Sequence, residues 1–135
     1  MNSTAPSPLV HTPIATVQRT GSDLVEVRFH PGCVLSVGGI SAILEVRDEL
    51  GREARNHVLI VFPADELDFD LNMITTDHYG GRPVEQHTIS LAWVVRNAHN
   101  ERFTRLFFAY FPSPVPYAIF STEEEAIDRL GGQRR

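Results

Sequence analysis

The chain has 135 residues, 42% of them hydrophobic, which predicts one globular domain with a core large enough to fold without disulfides or metals. Its net charge of −5 and its scattered basic residues argue against a surface that binds DNA or RNA. Cys33 is the only cysteine, which excludes an intramolecular disulfide and a cysteine-rich zinc site and suits a reducing compartment.

The N-terminal part of the chain predicts a leader, a β-hairpin and a helix. Residues 1–12 are rich in Ser, Thr and Pro and offer little to bury, so we expect a disordered leader. Apolar and polar residues alternate over 14–18 and again over 24–29, with turn residues between them, which is typical of a hairpin with one buried face. Ser36 is the predicted N-cap of a helix that ends at Gly51.

The rest of the chain alternates between apolar strands and helices. Three apolar segments predict buried strands: residues 58–62, 88–95 and 116–120. A short helical turn is expected after the first strand, and Asn97 caps a predicted helix over 98–111 after the second. Thr122 opens a last helix with a capping box, and two glycines are expected to end that helix after Leu130.

This order of elements predicts the fold class. Buried strands that alternate with helices imply crossover connections and a largely parallel sheet. We therefore predict an α/β fold with a single mixed sheet of about five strands, which starts with the hairpin and is flanked by about four helices. The domain is expected over residues 13–131, followed by a disordered tail over 132–135.

An acidic segment after the strand at 58–62 is the stretch most suggestive of function. It places four carboxylates within six residues, at the strand end where open α/β sheets usually bind ligands. The candidate binding residues here are Asp65, Glu66, Asp68, Asp70, Thr75, Thr76, Asp77 and His78. A solvated loop is expected because the glycine and terminal glutamate of a calcium loop are missing, although cation binding stays open. Asp70 is predicted to be the N-cap or a helix-start residue of the short helix.

Other chemical patterns in the sequence predict no catalytic residue, metal ligand or cofactor site. The six histidines lack the close spacing of zinc ligands and are expected at strand ends or on the surface. Cys33 is expected to be a small buried hydrophobe, and the glycine pairs do not form a phosphate-binding loop. The helix over 98–111 has an apolar stripe, which consists of Phe103, Leu106, Phe107 and Tyr110. Its surplus aromatic residues, Phe108 or Phe111, are expected to reach a partner or a dimer mate.

Several segments together resemble the bacterial STAS-like domains, which are related in fold to anti-sigma-factor antagonists and to the cytoplasmic domains of sulfate transporters. The segments are VRFHPG (27–32), the strand at 58–62, FTRLFFAYFP (103–112) and PYAIFSTEEEAIDRL (116–130). The resemblance covers residues 14–130 and implies a sheet of four or five strands between helices, no cofactor, and binding rather than catalysis. Anti-sigma-factor antagonists carry a phosphorylated serine after the central strand. Residues 68–77 contain no serine, so that switch is not expected, and phosphorylation of Thr75 or Thr76 stays open.

Two functions follow from these expectations. The first is a regulatory module without enzymatic activity that binds a protein partner through the acidic loop, the short helix after it and the surplus aromatic residues. The alternative is a carrier of a small apolar or lipid-like ligand, or a weak enzyme, with a pocket between the aromatic helix and the sheet and with Asp77 and His78 near its mouth. We further expect a cytoplasmic homodimer without a signal peptide or membrane insertion.

Overall fold

A computed structural model describes residues 7–52 and 54–133 of the chain. The strands in this part of the chain are β1 (Val10–His11), β2 (Ala15–Gly21), β3 (Leu24–Phe29), β4 (Val34–Leu35), β5 (Asn56–Val61), β6 (Asp68–Phe69), β7 (Thr88–Val94) and β8 (Tyr117–Phe120). The helices are α1 (Val37–Gly51), α2 (Asn72–Thr75), α3 (Val84–His87), α4 (Ala98–Tyr110) and α5 (Glu123–Gln133).

Six of these strands form one mixed sheet in the order β1-β2-β3-β5-β7-β8. Strands β1, β2 and β3 pair antiparallel, whereas β3, β5, β7 and β8 pair parallel and are joined through helices. The predicted α/β class, the mixed sheet and the N-terminal hairpin are therefore confirmed. The predicted numbers of strands and helices were too low, because the described residues contain six strands in this sheet, a separate β4–β6 pair and five helices.

Both predicted chain ends need correction within the described residues. The predicted leader does not hold for residues 7–12, because the Ser7 amide donates to the Arg19 carbonyl at 3.0 Å and β1 pairs with β2. Residues 1–6 lie outside the description. Helix α5 runs on to Gln133 through the two glycines that were expected to end it, and residues 134 and 135 lie outside the description.

Three local signals for helix starts are confirmed, and one of them is the Thr122 hydroxyl, which accepts a hydrogen bond from the Glu125 amide at 3.2 Å. The Ser36 hydroxyl accepts a hydrogen bond from the Gly39 amide at 3.1 Å, and the Asn97 side chain accepts one from the Asn100 amide at 2.8 Å. The predicted apolar stripe of α4 was partly wrong, since Leu106 and Tyr110 are exposed. The buried face of α4 instead follows the spacing of three and four residues: Asn100, Phe103, Thr104, Phe107 and Phe108.

The two faces of the six-stranded sheet are covered by different helices. Residues of α1, α2, α3 and α4 pack with one face into a large core that includes Ile43, Met73, Val84 and Phe107. On the other face, Ala126 and Leu130 of α5 pack on a small cluster of strand residues, which are Leu59, Val61, Ala92 and Val94. No helix within the described residues is long and apolar enough to cross a membrane.

Candidate functional site

The acidic loop, residues 63–71, is fastened to the first turn of α4. The buried Asn100 side chain accepts a hydrogen bond from the Leu67 amide at 3.0 Å and donates one to the Asp65 carbonyl at 3.0 Å. The Asn97 side chain, besides capping α4, donates to the Ala64 carbonyl at 3.0 Å. The start of α4 therefore fixes the backbone of the loop, because its side chains satisfy polar groups that the loop itself leaves unpaired.

A second fastening comes from the short parallel pair of β4 and β6. Val34 lies opposite Asp68 and Leu35 opposite Phe69, and the Asp70 amide donates to the Leu35 carbonyl at 3.0 Å. The Phe69 ring packs inward on Phe103 with ring centroids 4.6 Å apart. One side of β6 is thus anchored in the core, while Asp68 remains exposed.

The four carboxylates of the loop are exposed and make no ion pair within the described residues. Only Asp65 has a local role, since it accepts a hydrogen bond from the Gly32 amide at 2.9 Å. Gly32 has φ of 74°, a left-handed backbone conformation that favours glycine in this turn. Glu66, Asp68 and Asp70 therefore present their charge to solvent from an ordered backbone.

Glu123 at the start of α5 shows the opposite arrangement. Its carboxylate accepts from Arg28 at 2.8 Å and from Arg96 at 3.2 Å. The hydrogen bond from Arg28 is the main cause that lowers the pKa of Glu123. The charge of Glu123 is thus compensated within the protein, in contrast to the charges of the acidic loop.

Two exposed apolar side chains lie among the carboxylates. Leu71 follows Asp70 and is 83% exposed, and Val34, the register partner of Asp68, is 48% exposed. We call these residues the acidic–apolar surface, which consists of Val34, Glu66, Asp68, Asp70 and Leu71. The sequence pattern missed Val34 and Leu71, because a single apolar residue in a polar segment carries no periodic signal.

The segment after the loop differs in part from expectation. The predicted N-cap role of Asp70 was wrong, because that position is Leu71 and no side chain caps α2. Asp70 does take part in the start of the helix, since its carbonyl accepts from the Met73 amide at 2.9 Å. Thr75 is exposed and its hydroxyl donates to the Asn72 carbonyl at 3.4 Å, whereas Thr76 is half-buried. Of these two hydroxyl residues, Thr75 is therefore the more accessible to solvent.

A cavity lies where the sequence predicted a pocket, between α1, α4 and the sheet. Its volume is about 60 Å³ and its wall is mainly apolar. His78 lines the cavity and donates through Nε2 to the Met73 carbonyl at 3.0 Å, whereas Asp77 is exposed and is not part of the wall. Burial of His78 lowers the pKa of its imidazole, against the smaller opposing effects of the Met73 carbonyl and the Asp77 charge.

The two aromatic residues expected at a partner surface are placed differently from each other. Phe108 is 5% exposed and stacks on Tyr117 with ring centroids 4.3 Å apart, so its burial does not fit a contact with a partner. Phe111 is half-buried beside Phe107, with ring centroids 5.5 Å apart. The most exposed large apolar side chain of α4 is Tyr110, which is 64% exposed.

Other titratable side chains serve the fold. His57 and His87 were expected at strand ends or on the surface; they lie at the start of β5 and directly before β7 and are buried, His57 beside the Ser90 hydroxyl and His87 on the Asp48 carboxylate. Burial, followed by the charge of Asp65, raises the pKa of the half-buried Cys33 thiol, which makes it a weak nucleophile at neutral pH. No group of three His, Cys, Asp or Glu side chains between residues 7 and 133, Glu53 aside, could hold a metal ion.

Comparison of the chain with protein-family models, with curated proteins and with solved structures finds no match. The STAS-like resemblance therefore rests on the sequence segments that suggested it, and it stays a prediction. The same holds for the predicted homodimer.

Proposed function

We propose that this chain is a STAS-like binding module without enzymatic activity, and that it docks a basic protein partner on the acidic–apolar surface. The observation that carries the proposal is Leu71, which is 83% exposed beside unpaired carboxylates on a backbone held by Asn100. The mixed sheet that starts with a hairpin and continues through helix-linked parallel strands is compatible with the STAS-like part of the proposal.

The composition of the surface defines the partner that would fit it. Burial of one leucine side chain at an interface contributes about 1.5–3 kcal/mol, so Leu71 is suited to a small apolar pocket. The surrounding carboxylates steer a basic partner to the surface and reject acidic ones. We therefore expect a partner surface that has an apolar pocket surrounded by lysine or arginine side chains.

The rigidity of the loop favours this use. A binding segment that must first become ordered loses affinity, because ordering its side chains and backbone costs free energy. Here Asn97, Asn100 and the β4–β6 pair already order the segment in the free protein. Residues 68–77 contain no serine, so we propose that docking does not depend on a phosphoserine in this segment.

Affinity capture followed by quantitative binding tests this proposal. Leu71→Ala should raise the dissociation constant of the captured partner by about 10-fold or more. Asp68→Asn with Asp70→Asn should slow association and reduce its dependence on salt. The matched controls are Tyr110→Ala, which removes another exposed apolar side chain, and Glu124→Gln with Asp128→Asn, which removes two exposed charges of α5.

The controls should bind as the unchanged protein does. If Leu71→Ala and the Asp68/Asp70 double variant also bind unchanged while the controls behave as expected, the acidic–apolar surface is not the docking site. The small-ligand function has a separate observation in its favour, which is the cavity beneath α1 and α4.

A further inference from the structure

Arg47 is a buried cation in the wall of this cavity. It is only 4% exposed, although it belongs to a residue type that is rarely buried without a charged partner. One Nη atom donates to the Thr88 hydroxyl at 3.3 Å, which is long for a hydrogen bond, and the guanidinium lies 5.9 Å from the centre of the Tyr79 ring. Its Nε atom is buried and has no acceptor.

No carboxylate in the described part of the chain forms an ion pair with Arg47. The neighbouring Asp48 is already used by two other side chains, since it accepts from His87 at 2.7 Å and pairs with Arg82 at 3.6 Å. Arg47 reaches Asp48 only through the Thr88 hydroxyl and the His87 ring. A buried cation without a direct counter-charge destabilises a fold, so an anion that paired with Arg47 inside the protein would relieve this cost.

The cavity beside Arg47 limits the size of that anion. Its volume of about 60 Å³, roughly the liquid volume of two water molecules, leaves room only for a small anion of a few non-hydrogen atoms. Apolar side chains such as Val27, Ile60 and Phe62 form most of the wall. The wall also includes Trp93, whose buried indole N–H lacks an acceptor.

We propose that the cavity binds a short-chain monocarboxylate whose carboxylate pairs with Arg47 and whose apolar body contacts Val27, Ile60 and Phe62. A single guanidinium balances one negative charge and presents parallel donors that match a carboxylate. Phosphate or sulfate would bring more charge and more acceptors than this wall can satisfy, whereas a short alkyl group suits its apolar part. The proposal does not depend on docking at the acidic–apolar surface.

A comparison of propionate with propionamide tests the proposal on the unchanged protein. The two compounds have the same shape, and only propionate carries the negative charge. Trp93 is the only tryptophan, so its indole N–H gives one unambiguous nuclear magnetic resonance signal from the cavity wall. Propionate should shift this signal and that of the Arg47 Nε–H saturably, with a dissociation constant in about the millimolar range. The dissociation constant of propionamide should be higher by about 30-fold or more.

Three variants separate pairing with Arg47 from a general effect of charge. Arg47→Met should abolish the saturable shift of Trp93, and Arg47→Lys should retain part of it because the charge remains. Arg105→Met removes the same charge from an exposed position on α4 and should leave propionate binding unchanged. If Arg47→Met does not fold, the comparison of the two ligands on the unchanged protein still decides.

Equal shifts with propionate and propionamide, or no saturable shift with either, would overturn the proposal. The cavity would then hold water that satisfies Arg47 and Trp93. Saturable binding of inorganic phosphate with no effect of propionate would also overturn it, because the site would then select charge rather than a short carboxylate.

Discussion

The acidic–apolar surface and the Arg47 cavity both carry charge, but only at the surface are the polar groups satisfied by the protein or by water. At the surface, Asn97 and Asn100 satisfy the loop backbone and the carboxylates face water, so the free protein loses little by presenting them. In the cavity, Arg47 and Trp93 have buried N–H groups without acceptors. An exposed charge alone is therefore weak evidence that a ligand binds, whereas a buried cation without a counter-charge is stronger evidence.

The variant with the largest expected loss of stability is Asn100→Ala, which tests whether the backbone of the acidic loop is held by Asn100. Asn100→Ala removes the acceptor for the Leu67 amide and the donor to the Asp65 carbonyl, and both groups lie in the acidic loop. A buried N–H left unpaired costs about 1–3 kcal/mol, so the free energy of unfolding in urea should fall by about 3 kcal/mol. Hydrogen exchange should also become faster across residues 63–71.

Thr104→Val is the matched control for this change. Thr104 is buried on the same helix, but its hydroxyl donates only to the Asn100 carbonyl within α4. This variant should lose about 1 kcal/mol and leave exchange in the loop unchanged. Equal effects of the two variants would show that Asn100 stabilises α4 rather than the loop.

A pair of identical substitutions compares the free space beside Val27 and beside Val94, which lie on opposite faces of the sheet. Val94 is fully buried in the cluster under α5, and Val94→Ile should cost about 1–3 kcal/mol through overpacking. Val27 lines the cavity, so Val27→Ile should be neutral or should stabilise by up to about 0.8 kcal/mol. Urea unfolding measures both changes, and Val27→Ile should also weaken propionate binding. A similar cost at both positions would argue against usable space beside Val27.

The features of the fold that were predictable from the sequence depend on local chemistry. Ser36 and Asn97 cap their helices because a short polar side chain can reach an amide three residues ahead in any fold. The buried strand was predicted over residues 58–62 and lies over Asn56–Val61; its apolar part was readable because a fully buried parallel strand needs a continuous apolar run. The exposure of Leu71 and Val34 depends instead on the path of a loop and on a pair of two-residue strands, which have no period.

Arg47 had a sequence signal that the prediction overlooked. The residues Ile40, Ile43, Leu44, Arg47 and Leu50 recur at helical spacing, and the charged residue falls inside the apolar stripe of α1. A cation at such a position must be buried or must distort the helix packing. Its lack of a carboxylate partner, however, depends on which residues of α3 and β7 meet α1, and the sequence alone does not give that contact.

The smallest expected effect concerns the pH dependence contributed by His78. Burial lowers the pKa of His78 below its ordinary value of 6.5, so the unfolded chain binds the proton more tightly than the folded protein. The contribution of neutral His78 to the free energy of unfolding is complete above pH 6.5, and it is lost as pH falls through the lower pKa of the folded state. Asp77 favours the protonated form and Arg82 opposes it, while the Phe107 ring packs on the imidazole.

His78→Gln keeps a donor for the Met73 carbonyl but does not titrate. Urea unfolding between about pH 5 and 7 should give a shallower fall in stability for this variant, with a difference below about 1.4 kcal/mol per pH unit. Identical slopes for the two proteins would show that His78 is protonated equally in the folded and unfolded states.

The free energy of unfolding of Arg47→Met, measured in urea in a buffer without carboxylates, tests the contrast between the two regions most directly. Methionine fills the apolar space of the arginine stem without a charge, so we predict that the variant is more stable than the unchanged protein by about 1–3 kcal/mol. A loss of about 2–5 kcal/mol, as for the truncation of a core residue, would contradict the account. It would mean that Thr88 and Tyr79 already satisfy Arg47, so that no anion is needed in the cavity.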